Sequence, residues 1–334
     1  MPGMPVGAVH QNVPLTNLSR LYRPQEDGFV ANDVCPMLPV QKESDTYYVW
    51  TQGDFFAVDV SDLVPDRDVP REIEFAATTE SYIAQRRELA WTISDRERAN
   101  ADNQLRLEQT KQRGALGRLF LKREIRAAGI LQASDQSLTA GGETISGQLD
   151  TTVDAAAAVK WDAATTDYQD VLTDVVAGIT RMRQSIGIAP NVIVIPGAVA
   201  EGLHKSLFFS NSNGPQFVFS GETADAPHYT RYPLLPATLW GMRVLVPGQI
   251  YNSAVEGQSA SYSDVWGEIV RMLYITPGPA IDTPSVAYTF QSEALATRQA
   301  REDKPRVDWF ATGYTGVEKV TAPFAAAVIT DCLT

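Results

Sequence analysis

The apolar positions change period several times along the chain, and each change predicts an element. The clearest pattern lies between Tyr168 and Gly187, where Tyr168, Leu172, Val175, Ile179, Met182 and Ile186 recur at alternating spacings of four and three. That is the stripe of an amphipathic helix. Start chemistry at Thr166-Asp167-Tyr168-Gln169 and a stop at Gly187 bracket it. Val192-Ile193-Val194-Ile195, a continuous apolar run between Pro190 and Pro196, predicts a strand buried on both faces. A helix over about 198–206, a long loop rich in Phe, Asn and Gly, a short helix near Leu235 to Trp240 and a strand over Met242 to Val246 complete an α/β lobe.

Elsewhere the period is two or absent. Residues 1–28 carry Pro2, Pro5, Pro14 and Pro24 with no sustained pattern, which predicts an extended arm: a disordered tail, or a strap ordered on a neighbouring subunit. Val34 to Val40, with Pro36 and Pro39, reads as an edge segment, and Thr46 to Thr51 as a strong β-former run. Further strands are predicted at Glu72 to Ala76 and Ser81 to Ala90. Between the first two lie Asp59, Asp62, Asp66, Arg67, Asp68 and Arg71, broken by Pro65 and Pro70, so an extended hairpin with a charged tip is expected, resting on something outside its own lobe.

Ser94-Asp95-Arg96-Glu97 has the form of a capping box opening a long helix. Leu105, Leu116, Leu119, Phe120, Ile125 and Ala128 give that helix a loose apolar stripe, Gly114 and Gly117 weaken its middle, and Gly129 suits its end. Residues 132–164, rich in Ser, Thr, Gly and Ala, read as a loop-rich lobe boundary. The chain returns to β-rich runs at Glu268 to Thr276, Ser285 to Gln291, Arg306 to Ala311, Thr315 to Val320 and Ala325 to Ile329.

Composition narrows the class. With 334 residues, 44% hydrophobic and 20% charged, the chain has a globular composition and exceeds one ordinary core, so two lobes are expected. No run approaches a membrane span and no export signal opens the chain. Cys35 and Cys332 stand at opposite ends of the sequence, which excludes a C-x-x-C site and favours two buried thiols. A net charge of −12 argues against tight binding to nucleic acid, which depends on clustered cations. Charge is nevertheless segregated. From Ile93 to Ile130 nine basic residues face five acidic ones, so this segment is +4 and the remainder −16. The basic residues are expected opposite the apolar stripe.

Chemistry-bearing motifs are missing. His10, His204 and His228 lack metal spacing, and no phosphate-binding loop, nucleophile elbow or zinc-protease motif occurs. No catalytic, cofactor or metal site is expected, although an α/β enzyme built on the 166–247 lobe remains an alternative from another class.

The order of arm, long hairpin, long helix, α/β lobe and return to β resembles the major capsid protein of tailed bacteriophages, an α+β fold shared with encapsulins. Phe29-Val30-Ala31-Asn32-Asp33-Val34-Cys35-Pro36-Met37-Leu38-Pro39-Val40 is similar to the point where the arm enters the body. Tyr82 to Glu124 is similar to the strand and spine helix. Pro190 to Ile195, Leu239-Trp240-Gly241 before Val244-Leu245-Val246, and Asn252 resemble the axial lobe. Val265-Trp266-Gly267 with Tyr274, then Tyr288-Thr289-Phe290, resemble the return.

The resemblance implies an arm over 1–45, an extended hairpin (E-loop) with its following strand over 46–92, and spine helix plus the first part of a peripheral lobe over 93–160. It places an axial lobe over 161–280 and a return to the peripheral lobe over 281–334. It implies hexamers and pentamers in an icosahedral shell around double-stranded DNA, or, in an encapsulin, around cargo protein. Asp66, Arg67, Asp68 and Arg71 become candidate intersubunit contacts, and Arg106, Lys111, Arg113, Arg118, Lys122 and Arg126 candidate lumen-facing residues in weak contact with DNA. A portal is an expected partner, with no membrane, and location is the virion after assembly in the bacterial cytoplasm. No charged helical segment precedes the arm, so scaffolding, if any, is expected as a separate protein, and a decoration protein is a further option.

Overall fold

The computed structural model describes residues 10–11, 15, 28–49, 63–64, 66, 69, 78–100, 104–206, 235–254, 258–278, 284–304 and 306–334, with only the backbone of 10–11 and 104–106. Its first half contains β1 (His10–Gln11), α1 (Ala31–Val34), β2 (Met37–Pro39), β3 (Ser44–Val49), β4 (Thr78–Ile83), β5 (Gln85–Ser94), α2 (Asp95–Ala99), α3 (Gln104–Ile130), β6 (Ser137–Ala140), β7 (Glu143–Ser146) and β8 (Asp154–Ala156). Then follow α4 (Tyr168–Ile186), β9 (Val192–Val194), α5 (Gly197–Lys205), β10 (Thr238–Leu239), β11 (Met242–Leu245), β12 (Ile250–Asn252), β13 (Tyr262–Asp264), β14 (Val270–Leu273), β15 (Ala287–Glu302), β16 (Val307–Val320) and β17 (Ala326–Thr330).

A six-stranded sheet in the order β10-β11-β9-β14-β17-β8 centres one lobe. α4 lies against it and has the bounds its sequence predicts: Asp167 accepts from Gln169 N and Asp170 N, Asp170 returns the bond to Asp167 N, and Gly187 closes the helix at φ 72°. Its stripe buries Val171, Val175, Met182 and Ile186. The expected helix near Leu235 to Trp240 is instead half of a tight hairpin. Trp240 and Gly241 both take positive φ, 50° and 80°, which turns β10 directly into β11.

The second sheet runs β1-β15-β16-β5, with β2 also beside β15, and its centre is the long β15–β16 hairpin. α3 crosses it. The single helix expected from Ser94 is two pieces: Ser94 caps α2 by accepting from Glu97 N at 3.1 Å, α2 ends at Asn100, and α3 starts at Gln104. Gly129 does not cap α3 but lies inside it, where a Cβ would come within 2.7 Å of the Ile145 side chain. The loop-rich stretch after α3 contains the β6–β7 hairpin, turned by Gly141 and Gly142 at φ 60° and 79°.

Three boundaries shift. Val30, Ala31, Val34 and Cys35 belong to the main core, so the arm gives way to the body well before residue 45. His10–Gln11 pair with Arg298 and Gln299 of β15, and Leu15 is buried with Ile93 and Phe310, so these arm residues lie on their own chain. The 281–334 segment does not return as one piece: β15 and β16 join the second sheet, but β17 enters the first between β14 and β8. Ala326 to Ile329 is buried at every position, as an interior strand requires.

The predicted strand at Glu72–Ala76 lies outside the described residues, and the run at Ser81–Ala90 divides into β4 and β5. The extended hairpin rests on the second sheet through Tyr47 and Tyr82; the Tyr82 ring stacks on Phe290 at 4.6 Å.

Candidate functional site

The last turns of α3 bring charged residues into an otherwise apolar interior. Arg123, Glu124 and Arg126 are all 5% exposed or less, and the second sheet, the loop before β14 and the root of the arm meet them. Glu124 receives three donors: Val30 N and Ala31 N at 2.9 Å, and Trp266 Nε1 at 2.7 Å. Burial nevertheless pushes its carboxyl above the usual glutamate value, outweighing those donors and Arg123. Arg123 takes the other end of α1. It donates to Asn32 Oδ1, to Cys35 O at 3.4 Å and to Thr289 Oγ1 at 3.1 Å. Neighbouring residues of one helix thus grip both ends of the arm root.

Arg126 donates to Glu318 Oε2 at 3.0 Å and to Tyr314 Oη at 2.6 Å, while Arg123 Nε lies 3.6 Å from Glu318 Oε1. Two guanidinium groups and two carboxylates make this cluster neutral in sum, which is how buried charge is tolerated. Burial, with the Glu318 charge, pushes the Tyr314 phenol up to about 12. Deeper in the core, Arg271 is fully buried and donates to the carbonyls of Leu131, Trp266 and Ile269 at 2.8, 3.2 and 3.0 Å. Its guanidinium carbon sits 5.1 Å from the centre of the Trp266 ring. Burial pulls its pKa down to about 9, so it stays protonated at neutral pH.

The candidate lumen-facing residues separate. Arg126 is a correction: it points into the sheet, because Glu318 and Tyr314 satisfy it there. The side chain of Arg106 lies outside the described residues. At about 100° per residue Lys111, Arg118 and Lys122 share one stripe of α3, and Arg113 projects from the far side. Lys111 is engaged, 2.5 Å from Glu97 and donating to Thr92 O. Arg113, Arg118 and Lys122 are exposed. At the hairpin tip Asp66 is exposed, and Arg67, Asp68 and Arg71 lie outside the described residues.

Among the described residues no group of three or more His, Cys, Asp or Glu side chains could hold a metal, and no helix is long and apolar enough to cross a membrane. Cys35 and Cys332 are both free and buried. The buried charges were the residues sequence reasoning missed. Their signal was present in Arg123-Glu124 and Arg126 set among Leu119, Ile125, Ala127, Ala128 and Ile130.

No protein-family model and no curated protein matches the chain. Solved structures do. A phage-related protein from Bordetella bronchiseptica superposes with a TM-score of 0.64 at 16% identity, covering 96% of this chain and 97% of that one. The mature capsid of bacteriophage PhiM1 superposes at 0.55 and 12% identity, covering 92% and 87%. The SrpI encapsulin complex from Synechococcus elongatus gives 0.52 at 9% identity, covering 96% and 95%. The fold is therefore the tailed-phage capsid fold that encapsulins share.

Proposed function

We propose that this chain is the major shell subunit of a tailed-phage head, assembling as hexamers and pentamers into an icosahedral container for double-stranded DNA. The observation that carries this reading is coverage: phage capsid chains match over 92% of this chain and 87% and 90% of their own length. The phage-related protein superposes at a TM-score of 0.64, above the 0.52 of the encapsulin, which favours a phage shell over a container for cargo protein.

The buried junction fits a structural role, because it ties the arm root, the spine helix, the second sheet and the loop leading into β14 to one another. Arg118 and Lys122, with Arg106 and the engaged Lys111, are the cations that would touch DNA, and Arg113, on the far side of α3, would not. In a chain of net charge −12 they give weak, non-specific contact, which leaves a genome free to enter and leave. The hairpin tip, with Asp66, Arg67, Asp68 and Arg71, would meet a neighbouring subunit. Portal, scaffolding and decoration proteins would be partners of the assembled shell in the virion, built in the bacterial cytoplasm.

Expression of the chain alone, followed by light scattering on a sizing column and negative-stain microscopy, tests the reading. Closed particles of uniform diameter are expected. A stable species of a few subunits that turns over a compound in a substrate screen would overturn it in favour of an α/β enzyme.

A further inference from the structure

The arm root, residues 28–35, is held to the body by side chains rather than by a backbone ladder. Its internal structure is the single turn α1, in which Val34 N and Cys35 N donate to the carbonyls of Val30 and Ala31. One turn has no stability of its own. Among the described residues, every hydrogen bond from the root to the body is made with a body side chain. Glu124 takes Val30 N and Ala31 N, Arg123 reaches Asn32 Oδ1 and Cys35 O, Thr289 Oγ1 donates to Cys35 O at 3.1 Å, and Arg243 of β11 donates to Asp33 Oδ1 at 2.6 Å. Strand pairing begins only at Met37, where β2 joins β15. Detaching the root therefore breaks no strand pair in either sheet. What opposes it is this set of bonds and the burial of Val30, Ala31, Val34 and Cys35.

The grip has a support that is not itself part of the root. Trp266 Nε1 donates to Glu124 Oε1, the same oxygen that accepts from Val30 N, so the buried indole orients the carboxylate that holds the root. Trp266 is held in turn from the first sheet. Arg271 of β14 donates to the Trp266 carbonyl at 3.2 Å and sets its guanidinium carbon 5.1 Å from the ring centre. The same guanidinium donates to Leu131 O, just past the end of α3, at 2.8 Å. The hydrogen bonds of Arg271 go to Leu131, Trp266 and Ile269, none of them in the root.

We propose that the arm root is a latched strap, able to leave the body as a unit while both sheets stay folded, and that the Trp266 indole is its latch. Arg271 is a positioning residue for that latch, acting on the root through Trp266 and Glu124. Two thiols report on the two sides of the joint: Cys35 is buried in the root, and Cys332 is buried in the first lobe. The inference concerns the single subunit and stands apart from the shell reading.

The test is thiol labelling of the full-length, unassembled subunit without denaturant, with each cysteine scored by peptide mass spectrometry. Trp266→Phe keeps a ring beside Arg271 and removes the indole N–H, and circular dichroism checks its fold. Over the time in which the parent leaves both thiols unmodified, this variant is expected to label Cys35 about tenfold faster or more, with Cys332 still protected. Asp167→Ala, which weakens α4 away from the root, should leave Cys35 protected. In the parent itself, native-state hydrogen exchange should show the amides of Val30, Ala31, Val34 and Cys35 opening together and more readily than those of β14 and β16. Cys35 as protected in Trp266→Phe as in the parent would overturn the latch. Cys35 and Cys332 exposed in step, or root amides that exchange only together with β14 and β16, would overturn the strap.

Discussion

Through one carboxylate Glu124 joins α3 to the arm root and to the loop at Trp266 that leads into β14. Glu124→Ala leaves three buried N–H groups without an acceptor, each worth about 1 kcal/mol or more, so a loss of about 3 kcal/mol in urea denaturation of the unassembled subunit is expected. The pH dependence has a definite sign. Glu124 binds its proton more tightly in the folded protein than at the ordinary value of 4.5, so its contribution is fully present below that value. It is lost as pH rises through the raised folded value. Compared with Glu124→Gln, the parent should lose stability as pH rises from 4.5, and parallel pH profiles for the two proteins would contradict this. The thiols give a simpler check. Burial pushes Cys332 up to about 12 and Cys35 higher still, so a thiol reagent at about pH 8 should modify neither until the protein is denatured.

Elements were legible in the sequence in proportion to how local their causes are. α4 has period, N-cap and C-cap within its own residues, and its bounds agree with the pattern. Asp167→Ala should cost about 1 kcal/mol by thermal denaturation, because two amides lose their cap. The β10–β11 turn was not legible, since a tryptophan at positive φ follows from its surroundings rather than from its own preference. The Trp240 indole donates to the Tyr168 hydroxyl at 2.9 Å, a partner on α4. The buried charges were hidden for the same reason: Glu124 lies 94 residues from Val30, and Arg126 lies 192 from Glu318. Close strand packing is equally non-local. A Cβ on Gly313 would strike the Arg87 carbonyl and Glu88 backbone of β5, so Gly313→Ala should destabilise the second sheet by about 1–3 kcal/mol, read from the same melts.

At the scale of the whole molecule, the capsid fold became readable only as an order of elements spread over about 300 residues, each weak by itself. That order located the hairpin, the spine helix and the α/β lobe but misplaced the chain end, because β17 crosses into the first sheet. The arm belongs to this scale too. Its described residues pair with β15 and fill the apolar cluster around Phe310, so deleting residues 1–28 should leave the body folded while lowering the melting temperature of assembled shells. Unchanged shell melting would remove the arm from the account. The most direct measurement is a cryo-electron microscopy reconstruction of the particles the chain forms. A closed icosahedral shell of hexamers and pentamers, with Arg118 and Lys122 of α3 on its inner surface, is the expected result. Open tubes, rings or a small oligomer, or a shell with those two residues on its outer surface, would contradict it.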